Sequence, residues 1–250
     1  VLQNTSGLRA GPQAAKIEAM SEPVALPAVR IWDLPTRLFH WTLAAAVLGA
    51  AGTAWIGGNA MVWHMRCGLT VMALLLFRAV WGLLGGRWSR FASFIYSPAT
   101  VLRYLRGELR PGDHFEAGHN PLGALSVFAL LGVLAVQVAT GLVADDEIAF
   151  RGPLNRFVST ARGLAATGWH ADIGWWILLA LVLLHIAAIV FYWVRKQTDL
   201  IRPMLSGDKP IPPAAADTPP SEDSGRTRAM AAVLGLACAG LAVWVARLAN

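Results

Sequence analysis

Trp169-His-Ala-Asp-Ile-Gly-Trp-Trp-Ile-Leu-Leu-Ala-Leu-Val-Leu-Leu-His185-Ile-Ala-Ala-Ile-Val-Phe-Tyr-Trp-Val194 carries one charged side chain, Asp172, close to its start. About 20 apolar residues suffice for a helix to cross the hydrocarbon layer of a membrane. Lipid offers no partner to an unpaired backbone group, so a run of this length is expected to be a spanning helix. A water-facing helix would need a polar stripe, and this run has none. Four further blocks share its character: Leu38–Gly57, Met61–Leu84, Leu122–Ala144 and Ala229–Leu248. The expected fold is all-α: an integral membrane helix bundle with four core transmembrane helices and a fifth at the C-terminal side.

Composition agrees. Only 14% of the 250 residues are charged and 56% are hydrophobic, whereas an ordinary globular domain is roughly 25% charged. The net charge of +6 does not indicate nucleic acid, because the basic residues lie between apolar blocks and no zinc, Gly-rich phosphate or aromatic-basic motif accompanies them. The expected surroundings are membrane lipid, with no nucleic-acid partner. Cys67 and Cys238 both fall inside apolar blocks, which argues against a disulfide framework.

The basic residues also set an expected orientation. The stretches before the first block, between the second and third and between the fourth and fifth hold fifteen Lys and Arg; the opposite stretches hold Arg151, Arg156, Arg162 and Arg247. That asymmetry places the N-terminus in the cytoplasm and the chain, as a multi-pass protein, in a bacterial inner membrane. Residues 1–28 are expected to be disordered, and Met20-Ser-Glu-Pro is a more plausible start than Val1. Residues 29–205 form the four-helix domain, 206–228 read as a flexible linker and 229–250 hold the fifth helix. Ser97-Pro98 opens a short helix with Val101, Leu105 and Leu109 on one face, expected to lie on the inner leaflet.

Four of the six histidines, His40, His64, His170 and His185, occupy or border the apolar blocks. Ionisable side chains there are costly and usually functional, although a lone membrane histidine often only hydrogen-bonds a neighbouring helix. Depth sorts these four. With the N-terminus inside, His40 and His185 lie towards the inner face, and His64 and His170 towards the outer. The fifteen-residue step from His170 to His185 spans roughly 22 Å and turns the side chain by about 60°, so one helix can serve both pairs. Two separate metal centres follow. Gly68 stands four residues after His64, and Gly174 four after His170, leaving bare turns beside a bulky planar group. Imidazole pairs with no carboxylate or thiolate beside them favour haem over zinc or copper. No Cys-x-x-Cys-His occurs, so the haem is expected to be non-covalent.

Arg66 and Arg78 lie in the second block and need counter-charges. Haem propionates would supply them for Arg66, with headgroup snorkelling as the alternative. Arg78 is balanced between a propionate, snorkelling and a quinone site. Asn120-Pro121 reads as the start of the third helix, giving His119 a local hydrogen-bonding role with proton delivery as the alternative; His114 is expected to be solvated. Asp145-Asp146-Glu147 reads as a solvated helix end or a patch facing a basic redox partner.

Ile31-Trp-Asp-Leu-Pro-Thr-Arg-Leu-Phe-His40-Trp41, Arg78-Ala-Val-Trp-Gly82, Gly118-His-Asn-Pro-Leu-Gly123, and His170 through His185-Ile-Ala-Ala resemble the prokaryotic cytochrome b561 family, which includes b-type subunits of nickel-iron hydrogenases. The resemblance covers roughly Val29 to Lys209. It implies two non-covalent b haems with bis-histidine iron, one on His40 and His185 and one on His64 and His170, matching the depth pairing. It further implies electron transfer across the membrane between the quinone pool and a protein such as a c-type cytochrome. One alternative is the membrane anchor and electron-transfer subunit of a hydrogenase or other dehydrogenase. A second, from another class, is a haem-free ion or proton transporter, which would want membrane carboxylates or broken helices. The fifth helix departs from the family pattern and leaves room for a homo-oligomer.

Overall fold

The computed structural model describes residues 28–108, 110, 113, 115–212, 215 and 217–249. The expected disorder of the N-terminal segment, the solvation of His114 and the place of Leu109 lie outside the described residues.

Helix α1 runs Leu34–Ile56. The Asp33 carboxylate accepts the Thr36 N–H and Pro35 occupies the first turn, a start that satisfies one free donor and needs one fewer. Gly57, at φ +68°, ends it, and a single turn at Gly58–Ala60 leads into α2, Met61–Leu84. So short a connection makes α1 and α2 an antiparallel pair. Helix α3, Pro98–Arg106, is capped by Ser97 and closed by Gly107 in the left-handed region. Helix α4, Pro121–Val143, begins as expected, with Asn120 accepting the Gly123 N–H at 2.8 Å. The fourth span is longer than the sequence suggests. It starts at α5, Thr160–Gly168, widens into a π-helical turn over Trp169–Gly174 and continues as α6, Trp175–Arg195. A short α7, Ile201–Ser206, follows, and α8 covers Gly225–Arg247 behind a Ser224 cap. Among the described residues, five segments are long and apolar enough to cross a membrane: Leu34–Ile56, Gly58–Leu84, Pro121–Val143, Thr160–Arg195 and Gly225–Arg247.

Helix α2 is the centre of the bundle. Phe77 and Trp81 pack on Phe39 of α1 and on Ala231 and Cys238 of α8. Met72 meets Ala242 and Val245, and Val71 joins Ala46, Leu134 and Leu178. The α8 contacts are mostly small, which lets two helices approach closely where lipid supplies no hydrophobic drive between them. Outward faces are apolar: Leu48, Trp55, Trp176, Leu184 and Trp193 are exposed. Such a surface suits lipid and would be a severe liability in water.

The N-terminal end of α1 is closed by a clasp. Strand β1, Ala28–Arg30, pairs antiparallel with β2, Asp208–Pro210, Val29 standing opposite Lys209. Arg30 bridges Asp208 at 2.7 Å and Asp223 at 2.9 Å, and Asp223 also receives Arg228 at 2.9 Å. Ile211 is fully buried with Ile31, Trp32, Trp88 and Ala117, and the Trp88 indole donates to the Pro219 carbonyl. The stretch expected to be a flexible linker is therefore largely tied down at this clasp. Its partners are remote in sequence, which is why its Pro-rich composition did not reveal them.

Candidate functional site

The two ends of the bundle each bring together one histidine pair. At the end away from the clasp, His64 comes from the first turn of α2 and His170 from the π-helical turn, with ring centroids 5.8 Å apart at 89°. Nδ1 of His64 lies 2.9 Å from the Ala50 carbonyl, and Nδ1 of His170 lies 2.8 Å from the Gln137 carbonyl. A carbonyl only accepts, so each Nδ1 carries its proton and each Nε2 keeps a lone pair for a metal. The π turn has a local reason. Gly174 fits under the Gln137 side chain, where a Cβ would clash, and Gln137 Nε2 donates to the His170 carbonyl at 3.0 Å. Gly141 leaves room for the His170 ring: a Cβ there would stand 2.9 Å from Cε1. Such turns concentrate at functional positions. A cavity of about 460 Å³ opens between the two histidines, walled by Gly68, Val71, Leu134 and Leu178. Nothing stands within 4 Å of where a Gly68 side chain would begin.

At the clasp end, His40 of α1 and His185 of α6 have ring centroids 6.5 Å apart at 52°. Nδ1 of His40 is buried without a hydrogen-bond partner. Arg78 approaches from α2 and is only 3% exposed, so it does not reach the headgroups as the snorkelling alternative requires. Its guanidinium lies 4.5 Å from the Phe91 ring centre and 6.0 Å from that of Phe94, and Nη1 has no partner. Gly82 completes this packing, since a Cβ there would run into Phe91. His119 sits between Trp32 and Phe94, with centroids at 4.8 and 4.7 Å. Its Nδ1 is enclosed and unpartnered, while its backbone carbonyl accepts the Tyr96 hydroxyl. Burial, then the nearby Arg78, His185, Lys209 and His40, push the His119 imidazolium down, so its ring is neutral.

Arg66 goes elsewhere. It is exposed and lies 4.6 Å over the Trp63 ring, away from the cavity wall. Asp33, which sequence reading passed over, is fully buried and accepts from Thr36 N, Trp81 Nε1, Gly86 N and Ser89 Oγ. Its place inside the quoted Ile31–Trp41 stretch was the available signal. Gln137, the one amide side chain within an apolar helix, was equally visible and equally missed.

The donor set decides which metal these pairs fit. Among the described residues no three His, Cys, Asp or Glu side chains gather as a metal cluster. Each pair supplies two imidazoles, too few for a structural or catalytic zinc site. A macrocycle that brings its own nitrogens needs only axial ligands, and haem iron accepts them from histidine. With about 2 Å from metal to each nitrogen, two imidazoles facing across one iron have centroids roughly 6 Å apart, close to both observed separations. The residues fit haem.

Comparison with known proteins agrees. The profile described as prokaryotic cytochrome b561 matches residues 31–207, leaving α8 outside the match. The chain is similar to the "Probable Ni/Fe-hydrogenase B-type cytochrome subunit" of Bradyrhizobium diazoefficiens, with 24% identity over 80% of this chain and 94% of that protein. The protein of the same name from Azotobacter vinelandii is 28% identical over 72% of this chain and 88% of its own length. The "Probable Ni/Fe-hydrogenase 1 B-type cytochrome subunit" of Escherichia coli K12 is 23% identical over 71% and 88%. No solved structure matches.

Proposed function

The chain belongs to the prokaryotic cytochrome b561 family, and on that premise we propose that it is a di-haem b-type cytochrome carrying electrons between the quinone pool and a protein redox partner. Haem-associated electron transport and a multi-pass membrane location belong to the family. The haem number, the ligands, the orientation and the partner are our reading. One observation carries it: two histidine pairs, each with a separation suited to one iron, at opposite ends of the same bundle.

His40 and His185 would hold one haem, and His64 and His170 the other. When bound, each haem supplies a metal that passes one electron at a time. The chain contributes position and electrostatics. The Ala50 and Gln137 carbonyls hold two of the imidazoles in the ligating tautomer and raise their basicity. Val71, Leu134 and Leu178 give the outer site an apolar wall. Arg78 places a positive charge near His119, at the same end of the bundle as the inner pair. The excess of Lys and Arg at the clasp end supports a cytoplasmic N-terminus, which makes the His40–His185 site the inner one.

The relatives favour a hydrogenase or another dehydrogenase as the partner, as their names place them in hydrogenases; a c-type cytochrome is the other candidate. The test is an oxidised-minus-reduced spectrum of purified protein with haem quantified per chain. Two non-covalent b haems are expected. Protein that binds none when haem is supplied would support the transporter reading instead.

A further inference from the structure

The bundle end that holds His40 and His185 has a surplus of buried cationic and donor groups that the chain does not match. Arg78 is 3% exposed, and among the described residues it has neither a hydrogen bond nor an ion pair. A buried guanidinium with no directly bonded anion is a costly arrangement for a protein to keep. Asp33, the carboxylate that acts on it electrostatically, already accepts four hydrogen bonds from other groups.

Lys209 stands on β2, half-buried and without an ion pair among the described residues; burial lowers its affinity for a proton, and the charge of Glu116 offsets only part of that. Pairing with Val29 fixes its place in the chain, so this lysine is brought to the bundle by the clasp and not by a spanning helix. His119 contributes an enclosed, unpartnered Nδ1. These groups converge. Arg78 and the His119 ring both lie against Phe94, and His119 also packs on Trp32, close in sequence to the Val29 that pairs with Lys209. Arg78, Lys209, His40 and His185 all act on His119 electrostatically.

We propose that Arg78, Lys209 and Nδ1 of His119 form one cradle for the carboxylates of the haem held between His40 and His185. Haem b carries two propionates, which suit two cations and a neutral hydrogen-bonding nitrogen. The inference rests on the di-haem reading and adds to it two residues outside the spanning helices. It also gives the clasp a function, because β1–β2 pairing holds Lys209 against the site.

The test loads full-length, detergent-solubilised protein with haem b or with its dimethyl ester, which has no carboxylate charge. Transfer to excess apomyoglobin then reports the release rate of each. The component to follow is the one lost in His40→Ala; the other shows that the bundle is intact. Wild type is expected to release the ester roughly tenfold faster than haem b or more, the scale of a hydrogen bond to a charged group. In the Arg78→Gln/Lys209→Met double variant the two rates should converge. Equal rates in wild type, or an undiminished difference in the double variant, would overturn the cradle. If that variant fails to load, Lys209→Met alone should narrow the difference, and an unchanged difference overturns the proposal equally. Retention of both components in His40→Ala is a separate result, and it removes the ligand assignment itself.

Discussion

His64 and His170 face each other at 5.8 Å and 89°, each with its Nδ1 on a backbone carbonyl of a neighbouring helix. Both rings are thereby held with the same nitrogen free. If the pair shares one iron, His64→Ala and His170→Ala should remove the same component from a redox titration. His40→Ala and His185→Ala should both remove the other. Loss of different components from the two members of a pair would refute the pairing.

The room for His170 depends on Gly141. A side chain there begins 2.9 Å from the imidazole, so the ring or its helix must shift. Gly141→Val is expected to weaken haem holding at this pair roughly 10- to 100-fold, as loss of a supporting interaction commonly does. Haem titration of apoprotein checks it. Gly132→Val, which meets nothing within 4 Å, should leave both components unchanged.

Orientation is open to direct measurement. A reporter fused after Gly107 should be cytoplasmic, and one inserted at Pro153 periplasmic, following the basic-residue asymmetry. The reverse pattern would exchange the inner and outer assignments of the two pairs.

Asp33 joins the start of α1 to the end of α2 through four hydrogen bonds and is fully buried. Asp33→Ala strands the Trp81, Gly86 and Ser89 donors. It should cost on the order of 3 kcal/mol, seen as a lower unfolding temperature in detergent. Asp33→Asn, which keeps an acceptor oxygen, should lose less.

The clasp has a pH signature. Burial raises the Asp223 pKa, but hydrogen bonds from Arg228 and the Leu34 N–H, with the charges of Arg228 and Arg30, outweigh that and hold it below the usual range. A depressed carboxyl contributes stability that is present above its unfolded value of about 4 and is lost as pH falls through the lower folded value. Asp223→Asn should therefore destabilise the protein at neutral pH and flatten the acid limb of its stability profile.

Much was legible from local chemistry. Spanning helices announce themselves by length and apolarity, because lipid imposes that requirement on each segment separately. Pro98 and Pro121 marked helix starts. The four histidines could be sorted by depth, because rise per residue along a helix converts sequence position into depth, and the structure brings the same two pairs of rings together. What sequence could not give depends on residues far apart in the chain. The buried place of Arg78 against Phe91 and Phe94, and the exposed one of Arg66 over Trp63, are set by tertiary packing. The same holds for the packing of α8 on α2, and for a Pro-rich segment tied to β1. Hydropathy is a property of a segment and survives reading one segment at a time. A salt bridge between Arg30 and Asp223, or a glycine needed because Gln137 sits opposite, exists only once separate segments have met.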